Sequence, residues 1–168
     1  MGKKGFQFKG LEEYAEYLQK IQKNTPEIIG KGVYEMAAVV ADEVRKDMQG
    51  LSSVDNEYNI IAYKTRKKAR LSHEQKEGLL EGFGISPMEE KNGYYHVKLG
   101  FDGYNSVKTK KYPKGQPNVL IARSLNSGTS MMDKIPFMRN AVNRKRKDAI
   151  EKAKLVIDEE IAKFDGTF

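Results

Sequence analysis

The sequence contains no cysteine and no tryptophan, and it has only two histidines and five prolines among 168 residues. Without cysteine the chain has no disulfide and no thiolate metal site, which fits a reducing compartment. No stretch approaches the roughly 20 apolar residues that span a bilayer. The opening MGKKGFQFKG also lacks an apolar run of the length that a secretory signal needs. We therefore expect a protein that is neither secreted nor bound to a membrane.

Residues that usually carry catalysis are sparse and scattered. His73 lies in a charged stretch and His96 in an alternating one, and neither has a second ligand at metal-binding spacing. No serine stands in a strand-turn-helix elbow with a histidine and an acid placed to form a triad. The GFG at Phe83 lacks the lysine and hydroxyl residue of a phosphate-binding loop. We expect a protein that is not an enzyme and has no catalytic, metal-binding or cofactor-binding residues.

The chain is rich in charged residues. Charged residues make up 32% and hydrophobic ones 39%, and 30 Lys and Arg against 23 Asp and Glu give a net charge of +7. A basic balance favours acidic partners, namely nucleic acid, an anionic surface or an acidic protein, without choosing among them. The polar composition predicts a high ratio of surface to core, so that a partner completes the burial.

Two amphipathic patterns predict two N-terminal helices. The first covers residues 11–23, where four apolar residues recur at helical spacing: Leu11, Tyr14, Leu18 and Ile21. Thr25 and Pro26 are typical of an N-cap and a first-turn proline, so a second, long helix is predicted over 26–50. Its apolar stripe consists of Ile29, Val33, Met36, Val40, Val44 and Met48. The two glycines in its first turns indicate close backbone contact or a frayed end.

The segment 51–77 lacks a regular apolar pattern. A polar, turn-forming SSVDNEYN is followed by a short apolar run and by five basic residues: Lys64, Arg66, Lys67, Lys68 and Arg70. We predict a projecting arm that becomes ordered when it meets a partner, with two short strands as an option within it. A solvated basic linker is the alternative.

The second half predicts a hairpin, a loop and two helices. The turn pair at Asn92 precedes YYHVKLGF, whose alternation predicts a hairpin with one buried face. The Lys-, Gly- and Pro-rich segment 102–117 predicts a flexible loop. Asn118 is predicted to cap a short helix over 119–125, and a long helix is predicted from Pro136. Its apolar stripe consists of Met138, Val142, Ala149, Ala153, Ile157, Ile161 and Phe164.

The order of these elements predicts the class α+β in a single domain over 1–168. It comprises two N-terminal helices of which the second is long, a small antiparallel β-sheet, a short helix and a long C-terminal helix. The arm and the loop extend from this body.

Basic clusters at 64–70, 108–114 and 144–154 raise the alternative of nucleic-acid binding. Phosphate contacts through such clusters are salt-sensitive and read little sequence. Acidic residues are interspersed through both long helices, however, and no nucleic-acid-reading module is recognisable, so DNA is the less favoured partner. The residues predicted to contact a partner are Arg66, Lys67, Lys68, Lys110, Lys111, Tyr112, Arg144 and Arg146.

Two stretches carry a resemblance to a known family. LNSGTSMMDKIPFMRNAV, with GLLEGFGISPMEEKNGYYHVKLGFDGYN before it, resembles the phage tail-component family, the gene-product-ten-like proteins of lambda-type siphophages and prophages. The resemblance covers most of the chain. Its landmarks are Gly78, Leu80, Gly100, Gly128, Thr129, Pro136, Phe137 and Ala141. The chain departs from the family pattern at Glu77, Asn126 and Ser127, where members have threonine, glutamate and phenylalanine, and in the inserted segment 51–77.

The resemblance implies a structural role in virion morphogenesis, without enzymatic activity or cofactors. Such proteins are head-tail connectors, that is, joining or tail-completion components, commonly in a ring of identical subunits between the portal-bearing head and the tail. The implied partners are other copies of the chain and other phage neck or tail proteins. The implied locations are the host bacterial cytoplasm during assembly and then the virion neck or tail. The short link between Gly128 and Pro136 would lie at a subunit contact, and a plain loop between two core helices is the alternative.

Overall fold

The computed structural model describes residues 11–165, with the side chains of 14–164. Five helices and four strands follow one another in it: α1 Leu11–Gly50, α2 Asn56–Lys64, α3 His73–Gly82, β1 Phe83–Ile85, β2 Glu89–Lys91, β3 Tyr94–His96, β4 Leu99–Phe101, α4 Asn118–Ser127 and α5 Phe137–Asp165. The predicted class α+β is confirmed, with a long helix near each end of the chain.

The N-terminal region is one continuous helix, so the predicted division at Thr25 and Pro26 is wrong. Thr25 does not cap a new helix, because its hydroxyl donates a hydrogen bond of 2.9 Å to the carbonyl oxygen of Ile21 in the preceding turn. The apolar stripe continues through the proline, since Ile21 and Ile28 lie two turns apart on the same face. The continuous stripe packs as one surface, and this outweighs the local cost of proline.

The antiparallel pair of α1 and α5 forms the long axis of the molecule. Lys31 Nζ donates to Glu160 at 2.9 Å near one end, and Arg144 reaches Asp47 at 2.6 Å near the other. The helices approach closely at Gly32, where an added Cβ would lie 2.7 Å from Ile157 Cγ1. Close backbone contact, one of the two roles predicted for Gly30 and Gly32, is therefore confirmed at Gly32, whereas Gly30 approaches the Met88 side chain.

The core lies where the C-terminal half of α1 meets α3, α4 and the start of α5. Its buried members are Val40, Ala41, Val44, Met48, Leu71, Leu79, Phe83, Ile121, Ala122, Leu125, Phe137, Ala141 and Ala149. Phe101 joins Phe83 to Phe137, with ring centroids 5.2 and 6.2 Å apart. The stripe predicted for α5 is wrong at Val142, which is exposed because Phe137 and Ala141 occupy the buried face.

The predicted hairpin is present, but its second strand is split. Asn92 and Gly93 have φ of 55° and 80° and form the two-residue turn between β2 and β3. The chain then leaves this pair, and β4 joins β1 with Phe101 opposite Phe83. The residues 94–101 therefore contribute to two separate two-stranded sheets, because β4 packs against the core while β2 lies on the surface.

The segment 51–77 is folded against the body, so the predicted projecting arm is wrong. Leu71 and Ser72 are buried, and Val54 forms an isolated β-bridge with Ser72. A capping box then begins α3: Ser72 Oγ accepts from the Gln75 N–H, and Gln75 Oε1 accepts from the Ser72 N–H. The segment is held in place because Leu71 belongs to the core.

The segment 102–117 has neither helix nor strand, as the sequence predicts. It is nevertheless held in place by buried side chains and by hydrogen bonds within the segment. Asn105 and Val107 are buried, and the Asn105 N–H donates to the Gln116 carbonyl oxygen at 2.9 Å. Pro117 is the N-cap residue of α4, so the capping role predicted for Asn118 is wrong. The Asn118 amide instead donates to the Asp102 carbonyl oxygen at 2.8 Å, which fastens the start of the loop to α4.

Candidate partner-binding surface

Helix α2 exposes large apolar side chains around most of its circumference. Tyr58, Ile60, Ile61 and Tyr63 are 42%, 50%, 61% and 77% exposed, and Ala62 is its buried residue. Isolated apolar side chains are ordinary on a protein surface, but a contiguous group of this kind marks an interaction site.

The helix is nevertheless fixed in position. Asn59 Nδ2 donates to the Arg70 carbonyl oxygen, and Asn59 Oδ1 accepts from the Arg70 N–H, both at 2.8 Å. After α2, the Lys67 N–H donates to the Ala62 carbonyl oxygen at 2.9 Å, and Arg66 has a φ of 55°. The apolar surface of α2 is thus presented in a preformed geometry.

A groove of 460 Å³ runs beside α2, and we call it the α2 groove. It is lined by Ile60 and Tyr63 of α2 and by Val107 of the segment 102–117. The helix α4 and the link between α4 and α5 also line it, with Ile121, Ser124, Thr129, Met131 and Met132. Three basic residues belong to the same lining: Lys64, Arg70 and Lys108. The groove therefore combines apolar and basic lining residues.

The predicted contact residues of the first two basic clusters are neighbours in the chain of groove-lining residues, but none of them lines the groove itself. Arg66 and Lys67 follow Thr65, the C-cap of α2, and form no salt bridge within the described part of the chain. Lys68 pairs with Asp133. Lys110, Lys111 and Tyr112 follow the groove-lining Thr109, with Lys111 Nζ 5.5 Å from the Tyr112 ring centroid.

Arg144 serves a different purpose, because it joins α5 to α1. Its guanidinium donates to both carboxylate oxygens of Asp47 at 2.6 Å and to Glu43 at 3.0 Å. The hydrogen bonds to Asp47 and then to Glu43 raise the pKa of Arg144. Arg146 lies apart on a second, largely apolar groove of 360 Å³ between α1, the residues 95–99 and α5. The eight predicted residues therefore do not form one site.

The apolar surface of α2 is not among the predicted contact residues, because its stretch is interpreted from sequence as a short apolar run in an arm. A signal was present: Ile60 and Tyr63 are three residues apart, as are Tyr58 and Ile61, and this is the spacing of neighbours on a helix. Asp55 at the preceding position is a typical N-cap type, although its side chain makes no capping hydrogen bond here.

The structure also brings together a hydroxyl, an imidazole and a carboxylate that the sequence did not connect. Ser53 Oγ lies 2.7 Å from His73 Nδ1, and His73 Nε2 lies 3.5 Å from Asp55 Oδ1. In hydrolytic triads the hydroxyl contacts Nε2 and the buried acid contacts Nδ1. Here the order is reversed, and the Asp55 side chain is 88% exposed. The cluster fastens the start of α3 to the segment before α2.

The landmarks of the resemblance lie mainly in the core and at turns. Phe137 and Ala141 are buried, and Gly128 ends α4 with a φ of 73°. At Gly78 an added Cβ would lie 2.6 Å from Asn105 Cβ. Leu80 packs against the core, and Gly100 lies in β4. Thr129 lines the α2 groove, and Pro136 precedes α5. These residues shape the fold more than they shape a contact surface.

The described residues contain no group of three or more histidine, aspartate or glutamate side chains that could hold a metal ion. None of the helices between residues 11 and 165 combines the length and the apolar character needed to cross a bilayer. Comparison of the chain with family models, with curated proteins and with solved structures gives no match.

Proposed function

We propose that this protein is a non-enzymatic, structural component of phage or prophage virion morphogenesis, in a head-tail joining or tail-completion role. It acts by protein-protein assembly, with other copies in a ring and with adjoining neck or tail proteins. Its place is the host bacterial cytoplasm during assembly and the virion neck or tail thereafter. The phage setting rests on the resemblance carried by the landmark residues.

The proposed role in assembly rests on one observation, the exposed apolar surface of α2. Removal of apolar area from water contributes about 25 cal/mol per Å², so two aliphatic and two aromatic side chains favour a partner. Because Asn59 fixes α2 against Arg70, docking requires little ordering of the chain. The proposed mechanism is therefore the docking of a preformed surface, and it replaces the ordering of a flexible arm that the sequence favoured.

Light scattering over a series of protein concentrations tests this proposal. We expect the wild-type mass to rise above that of one copy, and the variant Ile61→Ser/Tyr63→Ser to need a higher concentration for the same mass. Both side chains are exposed, so the fold and the far-UV circular dichroism should be unchanged. The matched control is Leu155→Ser, an exposed apolar residue on α5, which should assemble like the wild type. A variant that assembles as well as the wild type would refute a role for α2.

A second function, non-specific binding to the phosphate backbone of nucleic acid, is favoured by one observation. Lys64, Arg66, Lys67 and Lys110 form no salt bridge within the described residues, so their charges are available. Titration of duplex DNA at increasing salt separates the two functions. Tight binding near physiological ionic strength, with a steep salt slope that Arg66→Ala and Lys67→Ala each reduce by about one, would support this second function. Weak binding under the same conditions is expected for the assembly protein.

A further inference from the structure

We infer that copies of this chain join head to tail, with the N-terminal end of α1 of one copy docked in the α2 groove of the next. We call residues 11–25 the α1 tip. The inference rests on the proposed assembly function and names the contact through which copies would associate.

The α1 tip extends beyond the helix that covers the rest of α1. The helices are antiparallel and Lys31 pairs with Glu160, so Asp165, five residues after Glu160, lies near residue 26 of α1. The 15 residues of the tip therefore continue about 22 Å past the described end of α5. Tyr14 and Leu18, which belong to its apolar stripe, are 52% and 47% exposed.

The α2 groove has the form that such a helix needs. Recognition of a helix in a groove uses apolar side chains at positions i, i+3 or i+4, and i+7 as anchors. Tyr14, Leu18 and Ile21 have this spacing in the tip. The groove offers Ile60, Tyr63, Val107 and Met131 as apolar counterparts.

The charges of the two surfaces are complementary. The tip contains three glutamates, Glu12, Glu13 and Glu16, followed by two lysines, Lys20 and Lys23, so its acidic charge lies in its N-terminal half. The groove has Lys64, Arg70 and Lys108 in its lining. Copies that each carry +7 repel one another, so a contact between them is favoured where a local acidic surface meets a basic one. The lysines of residues 1–10, Lys3, Lys4 and Lys9, precede this acidic stretch.

The two surfaces lie at opposite ends of the molecule. The α2 groove adjoins Leu71, which packs in the core with Met48 near the C-terminal end of α1. The tip is at the other end of a 40-residue helix that is about 60 Å long. A copy therefore cannot fill its own groove. Each copy offers one tip and one groove, and a succession of such heterologous contacts closes into a ring when the rotation permits.

Engineered disulfides test the contact, since the natural chain has no cysteine. The pair Leu18→Cys/Ile60→Cys places one thiol on the tip and one in the groove. After oxidation we expect a ladder of covalent species larger than a dimer, which collapses to one band on reduction. The matched control Leu18→Cys/Leu155→Cys has two exposed thiols, one of them outside the groove, and should give no ladder. A tip-groove pair that behaves like this control, or stops at a dimer, overturns the inference.

A charge exchange gives an independent readout in the full chain. Glu16→Lys alone and Lys108→Glu alone should each weaken association by up to about fivefold, the upper end for one surface ion pair. The double variant should recover toward the wild-type affinity, whereas Asp158→Lys, an exposed change on α5, should not alter it. If the wild type assembles but the double variant does not recover, the tip-groove contact is refuted and the assembly function stands. If the wild type remains a single copy at every concentration, the tip-groove contact and the assembly function are both refuted.

Discussion

Gly78 lies on α3 at the point where this helix meets the start of α4 and the 102–117 loop. An added Cβ would lie 2.6 Å from both Asn105 Cβ and Asn118 Oδ1. We expect Gly78→Ala to lower the free energy of unfolding, because overpacking costs about 1–3 kcal/mol and alanine regains about 1 kcal/mol of helix propensity. Denaturant titration measures this change.

Gly50→Ala is the matched control for that substitution. Gly50 is also helical, but an added Cβ there meets nothing within 4 Å. It should therefore leave stability unchanged or raise it slightly. Equal effects of the two substitutions would mean that the close approach at Gly78 is absent in solution.

Glu160 makes the α1–α5 contact sensitive to acid. Hydrogen bonds from Lys163 and then from Lys31 lower the pKa of Glu160. Its contribution to stability is therefore present above the ordinary glutamate pKa of about 4.3 and is lost as pH falls through the lowered folded value. We expect Glu160→Gln to unfold at a lower temperature than the wild type at pH 7, and the two curves to converge toward pH 3.

The neighbouring exposed acid Asp158 provides the comparison for this pH series. Asp158 forms no salt bridge among the described residues, so Asp158→Asn should follow the wild type at every pH. If the unfolding temperatures of Glu160→Gln and the wild type differ by the same amount down to pH 3, Glu160 is not a paired carboxylate.

The elements that the sequence predicted correctly are those whose ends are set by local chemistry. Asn92-Gly93 supplies the positive φ angles of a hairpin turn, and Gly128 ends α4 in the same way. Pro136 precedes the first residue of α5. The split of 94–101 and the folding of 51–77 depend on distant core contacts of Phe101 and Leu71, which no local pattern records.

The continuity of α1 is the clearest case in which packing prevails over a local signal. Pro26 lies inside α1 and provides no N–H to the carbonyl of the preceding turn, at a cost of about 3 kcal/mol. We expect Pro26→Ala to raise helicity by circular dichroism and to slow amide exchange around residues 20–30. The free energy of unfolding should rise by up to about 3 kcal/mol.

Thr25→Val distinguishes one helix from two. The loss of an N-cap hydroxyl costs about 1 kcal/mol, whereas the Thr25 hydroxyl in a continuous helix only adds a bond to Ile21. We therefore expect Thr25→Val to have little effect. A clear loss of stability in Thr25→Val, together with no gain in Pro26→Ala, would restore the interpretation of two helices.

At the scale of the whole molecule, the sequence located the basic clusters but not their roles. Whether a cation is available to a partner depends on acids far away in the chain, and Arg144 is held by Glu43 and Asp47 on α1. The α2 groove could not be predicted either, because its lining comes from five separated segments: α2, residues 69–75, the 102–117 loop, α4 and the link before α5. The basic clusters can be recognised in the sequence, whereas the apolar surface beside them forms only when the chain folds.

Assembly should also appear in the thermal stability of the molecule. A partner that binds the folded chain alone stabilises it by RT ln(1 + [L]/Kd), so a hundredfold rise in concentration above Kd adds roughly 2–3 kcal/mol, or roughly 5–10 °C at this chain length. We expect the unfolding temperature of the wild type and of Leu155→Ser to rise with protein concentration. That of Ile61→Ser/Tyr63→Ser should change less over the same range, because its exposed α2 surface is reduced. A wild-type unfolding temperature that is independent of concentration would contradict self-assembly through this surface.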